Sequence, residues 1–471
     1  MNYQKFYFFS LLLSGGNEMN ELQNQGELKK SLSLPLLIGF GLAYLAPTVV
    51  FNYYGIWTSD SGTGGHYPLA LLITTVLMTF TAYSYTRMVK EYPTAGSAYV
   101  YVNKSVQPHI GFMTGWVMLL DYLLLPMVCY LLIGIYVNLY VPVLPVWVIV
   151  VGCAAIGAIL NIVGAKTASM VDSIIIAAQL IFTVVTIILC IMYISGTDGL
   201  SFFSSRALVN PDTFDFKAVL NASAILCVSF VGFDAVTTMA EETKDPQKVM
   251  TPAIMGVCVG AGILFFITAY VLNAAWPDAH TQITDPDTGI YELYPAIGYG
   301  WAADVFFVVD EFASFVCAMA GLGAVSRILL GMGRDNILPK SFFGSVSKKF
   351  NTPVKNILLV SLIGCTGIFY ADNLIGAAEL VSFGCILGFI MVNISVVAHF
   401  YKKMGLRQGI KNKIMYLIAP GIGAAVLIIA FVFVGKGAKI LGCIWLAIGL
   451  VYLAIKTKGF RQLPPEMTFE E

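Results

Sequence analysis

The sequence predicts an all-α membrane protein of twelve transmembrane helices, and three observations carry that reading. The 471 residues are 58% hydrophobic and only 11% charged, whereas soluble domains average about 25% charged residues. Twelve segments offer the roughly 20 mainly apolar residues that a spanning helix needs. Lys and Arg are spread unevenly around them: with the amino terminus inside, 23 of the 27 fall in or beside cytoplasmic stretches, and four (206, 217, 436 and 439) fall outside. By the positive-inside rule that asymmetry puts both termini in the cytoplasm and supports an even number of spans in a cell (inner) membrane.

Taken in order, residues 1–32 form an amino-terminal cytoplasmic segment. Its "KFYFFSLLLSGG" imitates a signal-peptide core without a clear cleavage site, and Met19 is an alternative start. Span one (33–57) reads "SLPLLIGFGLAYLAPTVVFNYYGIW" and carries Pro47 and Thr48 in mid-membrane. Proline removes a helical hydrogen bond and clashes with the preceding turn, so this helix should open near Ala46 to Val49. Span two covers 67–89. "YPTAGSAYVYV" follows as a short re-entrant inner segment, with Gly96 permitting its turn. Span three (109–138) has Asp121 at its middle; spans four and five cover 144–163 and 170–194. "PDTFDF" is an outside loop before span six (217–240), where Gly232 and Asp234 interrupt an apolar run. Span seven is 251–275 and span eight, with "VVDEF", is 301–328. The connections on either side of span eight are too short for a soluble catalytic domain. Spans nine to twelve are 355–371, 374–399, 414–434 and 438–456.

Interrupted helices at equal depth in spans one and six fit two inverted halves, spans one to five (33–195) and six to ten (196–400), with residues 401–471 as an appendix of two helices and a tail. In such repeats paired breaks point to a midplane binding site.

Composition closes other classes. Acidic and basic residues balance at 27 each, so no nucleic-acid surface is expected. The nine cysteines lie singly in apolar segments and read as buried packing residues. The four histidines stand apart at segment ends, so neither a metal site nor a cofactor is expected. No HExxH or comparable catalytic set is present, and no P-loop, so the chain does not read as an enzyme and ATP-driven transport would need another subunit. Nothing in the sequence sets an oligomeric state.

Several long stretches carry a resemblance: "GLAYLAPTVVFNYYGI", "YPTAGSAYVYVNKSVQPHIGFMTGW", "LLDYLLLP", "SFVGFDAVTTMAEETKDP" and "SRILLGMGRDNILP". Through them the chain resembles the amino acid-polyamine-organocation superfamily, most closely its bacterial putrescine importers and related amino acid permeases. The resemblance implies a LeuT-type core of five plus five inverted helices with discontinuous helices one and six, two peripheral helices, and secondary uptake of a small organic amine or amino acid.

Intramembrane ionisable residues are costly and default to function. Asp234 is expected to face a substrate ammonium, or else to brace the broken helix. Asp121 is expected as the second carboxylate for a diamine, or else as half of a structural pair. Tyr122 and Phe233 are candidates for ring contact with the ligand, or else for packing; Phe230 is a further candidate of the binding site, and Gly232 lends free backbone. Where amino acid carriers of the superfamily show a Gly-Ser-Gly type run that holds a carboxylate, this chain has Ala46-Pro47-Thr48, and proline offers no N–H. That departure favours an amine, although Thr48 and Val49 retain amides. Some proton-coupled relatives carry a lysine in span five where Gln179 stands here, so proton symport would fall to a carboxyl: Asp310, Glu311, Glu379 or Asp121. Arg87, Glu241, Glu242, Lys244, Arg327, Arg334 and Asp335 are candidates for an inner gate of ion pairs, or else solvated positive-inside charges.

Overall fold

The computed structural model describes residues 33–93, 97–163, 165–240, 243–334, 336–347, 349–350, 352–371 and 374–464, with backbone alone at 139, 165–173, 375, 378 and Glu379. The first 32 residues with Met19, Gly96, Glu241, Glu242, Asp335 and the Glu379 side chain therefore lie outside the description.

Among the described residues eleven helices are long and apolar enough to cross a membrane, and Val354–Tyr370 is a shorter twelfth. All twelve expected spans are there. Large apolar side chains such as Ile159, Ile181, Ile188, Ile428 and Val451 are exposed around the perimeter. Hydrocarbon, not water, is the solvent that suits such a surface.

The packing has a symmetry of its own. Span two (Tyr67–Glu91) lies on span seven (Pro246–Ala275), span three (Pro108–Tyr140) on span eight (Trp301–Arg334), and span four (Val146–Val163) on span nine. Span five (Ala165–Gly196) meets span eight as span ten (Leu374–Val396) meets span three. Exchanging the two halves leaves this set of neighbours unchanged.

Spans one and six break where the sequence places proline and glycine. Leu34–Leu45 ends at Ala46, which adopts φ 53°, and helix resumes only at Val49–Asn52. Span six runs as helix over Phe216–Ile225, tightens to 3-10 turns at Leu226–Phe230, opens, and continues as 3-10 turns at Ala235–Met239. Gly232 sits in the opening at φ 131°. A Cβ there would lie 2.8 Å from the Leu45 nitrogen and 3.1 Å from the Gly41 oxygen, so glycine is what lets the two breaks touch.

Span three is clasped to span twelve (Lys436–Lys456). The Trp116 and Trp445 rings stack at 4.8 Å; Trp116 Nε1 donates to the Trp445 carbonyl (2.9 Å) and Trp445 Nε1 to that of Trp116 (2.7 Å). Each indole thus satisfies the polar tip that its burial would otherwise strand.

Three local outcomes differ from expectation. Spans ten and eleven have π-helical stretches facing one another, Val397–Lys403 and Ile414–Ile418; apolar periodicity is blind to such a local widening. Span nine is α-helical only over Val354–Cys365 and finishes in 3-10 turns. Cys443 is exposed, against the expectation that every cysteine is buried: it lies on the outer face of span twelve, where lipid accepts a small apolar thiol as readily as a protein core does.

Candidate functional site

The touching breaks bring spans one, three, six and ten around a cluster of acids and rings. Asp121 is 1% exposed and neither of its carboxylate oxygens has a hydrogen-bond partner. Span ten closes against it through Gly384, where a Cβ would stand 3.0 Å from both the Asp121 nitrogen and Cβ. Asp234 is equally buried but differently held: its Oδ1 accepts the Gly232 N–H at 3.0 Å. That carboxylate satisfies a backbone donor that the break leaves without a helical carbonyl. Asp121 and Asp234 lie within electrostatic reach of each other, of Tyr44 and of Tyr122.

Aromatic rings enclose the pair. Tyr44 meets Tyr122 edge-on at 6.2 Å, and Phe233 packs on Tyr85 at 5.5 Å and on Phe389 at 5.3 Å. The hydroxyls of Tyr44 and Tyr85 are buried without partners. Phe230 does not join this group; it turns to Phe265 of span seven. Tyr44, Tyr85 and Phe389 were not singled out from the sequence, and for Tyr44 a signal existed: it is an aromatic three residues ahead of the mid-membrane Pro47.

The two amides that the sequence offered at the span-one break, those of Thr48 and Val49, are both engaged. Pro47 has none; the Thr48 N–H and hydroxyl both donate to Gln179 Oε1 of span five, at 3.3 and 3.2 Å, and the Val49 N–H donates to the Ala46 carbonyl at 3.0 Å. Gln179 is therefore a tie between span five and the break.

A second acidic station lies on span eight. Asn52 Nδ2 donates to both oxygens of Asp310, at 3.3 and 3.1 Å, and Thr48 lies alongside. The neighbouring Glu311 is 8% exposed and both its oxygens lack partners. Tyr136 and Tyr291 lie within electrostatic reach of both acids. No ion pair among the described residues involves any of these four carboxyls. With all four buried, the acids are closed off from solvent in this conformer.

At the Lys/Arg-rich end, Arg87 stacks over the Tyr83 ring of its own helix at 4.7 Å and Arg327 and Lys244 are exposed. Their expected partners Glu241, Glu242 and Asp335 are outside the described residues. Arg334 has an interaction of its own.

The profile of the amino acid permease family matches residues 37–439. The low-affinity putrescine importer PlaP of Escherichia coli is 35% identical over 444 residues, covering 93% of this chain and 96% of its own. The methylthioribose transporter of Bacillus subtilis is 25% identical, covering 92% of this chain and 94% of its own, and the branched-chain amino acid permease BcaP of the same organism is 23% identical, covering 93% and 95%.

Proposed function

The chain belongs to the amino acid permease family, and from that premise we propose that it is a secondary transporter importing a small organic amine of the putrescine type. The observation that carries this reading is Asp121, a buried carboxylate with two unpartnered oxygens beside a second acid. Leaving such a group uncompensated costs several kcal/mol, and a substrate ammonium is the partner that removes the cost. Asp121 is the direct contact; Asp234 adds its charge while bracing the break. Ala46, Pro47, Thr48 and Val49 line the passage, and the faces of Tyr44, Tyr122 and Phe233 suit an alkylammonium.

The second reading, an amino acid permease or exchanger, draws on relatives such as BcaP. An α-amino acid also brings a carboxylate, and the Thr48 and Val49 amides of span one are already engaged. This supports the amine.

In this reading the proton gradient drives uptake. Gln179 has no proton to carry. Glu311 is the best-suited carboxyl, because it is buried without any partner, and a carboxyl so placed requires a proton or a cation beside it. Asp310 and Glu379 are the other candidates. The halves 33–195 and 196–400 rock against one another, Arg87 and Arg327 close on Glu241 and Glu242 at the inner end, and both termini are cytoplasmic.

The test is uptake of labelled putrescine into proteoliposomes, with agmatine and a panel of amino acids as competitors. Competition by diamines alone is the expected result; competition by branched-chain or other amino acids moves the function to the second reading. Counterflow without a net gradient distinguishes a carrier from a membrane-embedded sensor or enzyme.

A further inference from the structure

The exterior carries a site unrelated to the acids within. Between spans ten and eleven, at the Lys/Arg-rich end, lies a groove of about 190 Å³. Its walls are apolar or small: Ile394, Val397 and Ala398 on one side, Pro420 and Ala424 on the other. Its floor includes Asn393, whose amide is already engaged: Oδ1 accepts from Ser84 and Nδ2 donates to Thr81 and the Phe389 carbonyl. The floor therefore calls for no polar ligand.

Lys402 is the one charge on the lining. It is there because of the π-helical stretch Val397–Lys403. Residues five apart stand about 140° from each other around an α-helix, so Val397 and Lys402 would face opposite ways. In a π-helix they are one i→i+5 turn apart, and both line the groove.

From Tyr401 to Lys413 the chain reads "YKKMGLRQGIKNK", five basic residues, Lys402 among them, with no acidic one. Two are occupied: Arg407 lies over the Tyr401 ring and Lys403 Nζ donates to the Lys104 carbonyl. Lys402, Lys411 and Lys413 are exposed, and none pairs with a carboxylate among the described residues. The rim is lipid-facing, with Ile414, Ile418 and Ile422 exposed along span eleven.

We propose that this groove binds an anionic phospholipid, one acyl chain lying along Ile394, Val397 and Ala398 and the phosphate held by Lys402 with Lys411 and Lys413. The apolar wall accounts for the chain, the unpaired lysines for the charge, and their place at the end of two spans for the depth of a headgroup. A basic pocket between spanning helices with a juxtamembrane cluster is the arrangement that selects anionic lipid.

The experiment uses the full chain, purified in detergent with an equimolar mixture of phosphatidylglycerol and phosphatidylcholine of identical chains, and measures retained lipid by native mass spectrometry. Wild type is expected to retain phosphatidylglycerol at least tenfold over phosphatidylcholine. Lys402→Ala with Lys411→Ala and Lys413→Ala brings the ratio to parity, and Ala398→Phe, which fills the groove, lowers retention of both lipids at least fivefold. If the triple variant fails to fold, Lys402→Glu alone is expected to erase most of the preference. Parity in wild type overturns the proposal, and so does an Ala398→Phe protein that retains lipid like wild type, since the lysines would then be a plain surface patch. Competition by soluble glycerol phosphate at the level of the whole lipid also overturns it. None of these readouts depends on what is transported.

Discussion

At the scale of single residues, the two aspartates at the breaks share burial and differ in surroundings. Asp121 has no partner, whereas Asp234 accepts a backbone N–H. Truncating one member of a buried charge pair costs roughly 2–5 kcal/mol, so Asp121→Asn is expected to weaken putrescine binding by about thirtyfold or more. Asp234→Asn keeps an oxygen for the Gly232 amide and removes only the more distant charge, so its loss should be smaller, on the order of tenfold. Isothermal titration of both variants in nanodiscs reads the difference, and an Asp121→Asn protein with wild-type affinity would remove that residue from the site. Both aspartates were legible in the sequence, as carboxylates inside apolar runs. Which of them is free was not, because that depends on where the amides of a broken helix point. Gln179 illustrates the same limit: its polar side chain inside span five is readable, but its bond to Thr48 exists only once spans five and one meet.

At the scale of elements, the breaks were readable because proline and glycine act locally. Pro47 forbids a hydrogen bond wherever it sits in a helix, and Gly232 stands at a φ that other residues avoid. Gly232→Ala would bring a methyl to 2.8 Å from the Leu45 nitrogen; strained backbone and overpacking each cost about 1–3 kcal/mol, so the melting temperature in detergent should fall clearly. Ala46 makes the complementary case, holding φ 53° with a Cβ. Ala46→Gly is expected to melt within about 1 kcal/mol of wild type, the relief of strain offsetting the added chain entropy, whereas the β-branched Ala46→Val should be destabilised. Equal melting of the two would mean that the break is not held in this conformation. The π-helical ends of spans ten and eleven escaped the sequence, since the shift of Lys402 toward Val397 leaves no trace in hydropathy.

At the scale of the whole molecule, twelve spans followed from length and apolarity, and the exchange-symmetric packing from the paired breaks in spans one and six. What could not be read was the state of closure, which depends on how the halves lean together. With the four inner acids shut away and no basic side chain paired to them among the described residues, proton-driven import makes a direct expectation. An acid-outside gradient should raise the initial rate of putrescine uptake several-fold, a protonophore should return it to the ungraded rate, and replacing sodium by potassium should change nothing. Uptake indifferent to the protonophore would end the proton reading. A reporter fused at either terminus, probed in spheroplasts, tests the orientation drawn from the 23 inner basic residues.

The stacked indoles of Trp116 and Trp445 bind span three to span twelve by two reciprocal hydrogen bonds. Asp121 sits five residues further along that same span, so this buried acid belongs to a helix fastened to the periphery, while Asp234 stands where span six opens, between two stretches of 3-10 turn. A guest held between the two would bridge one continuous, clasped helix and one interrupted helix, so its own bonds would be what ties the second to the first.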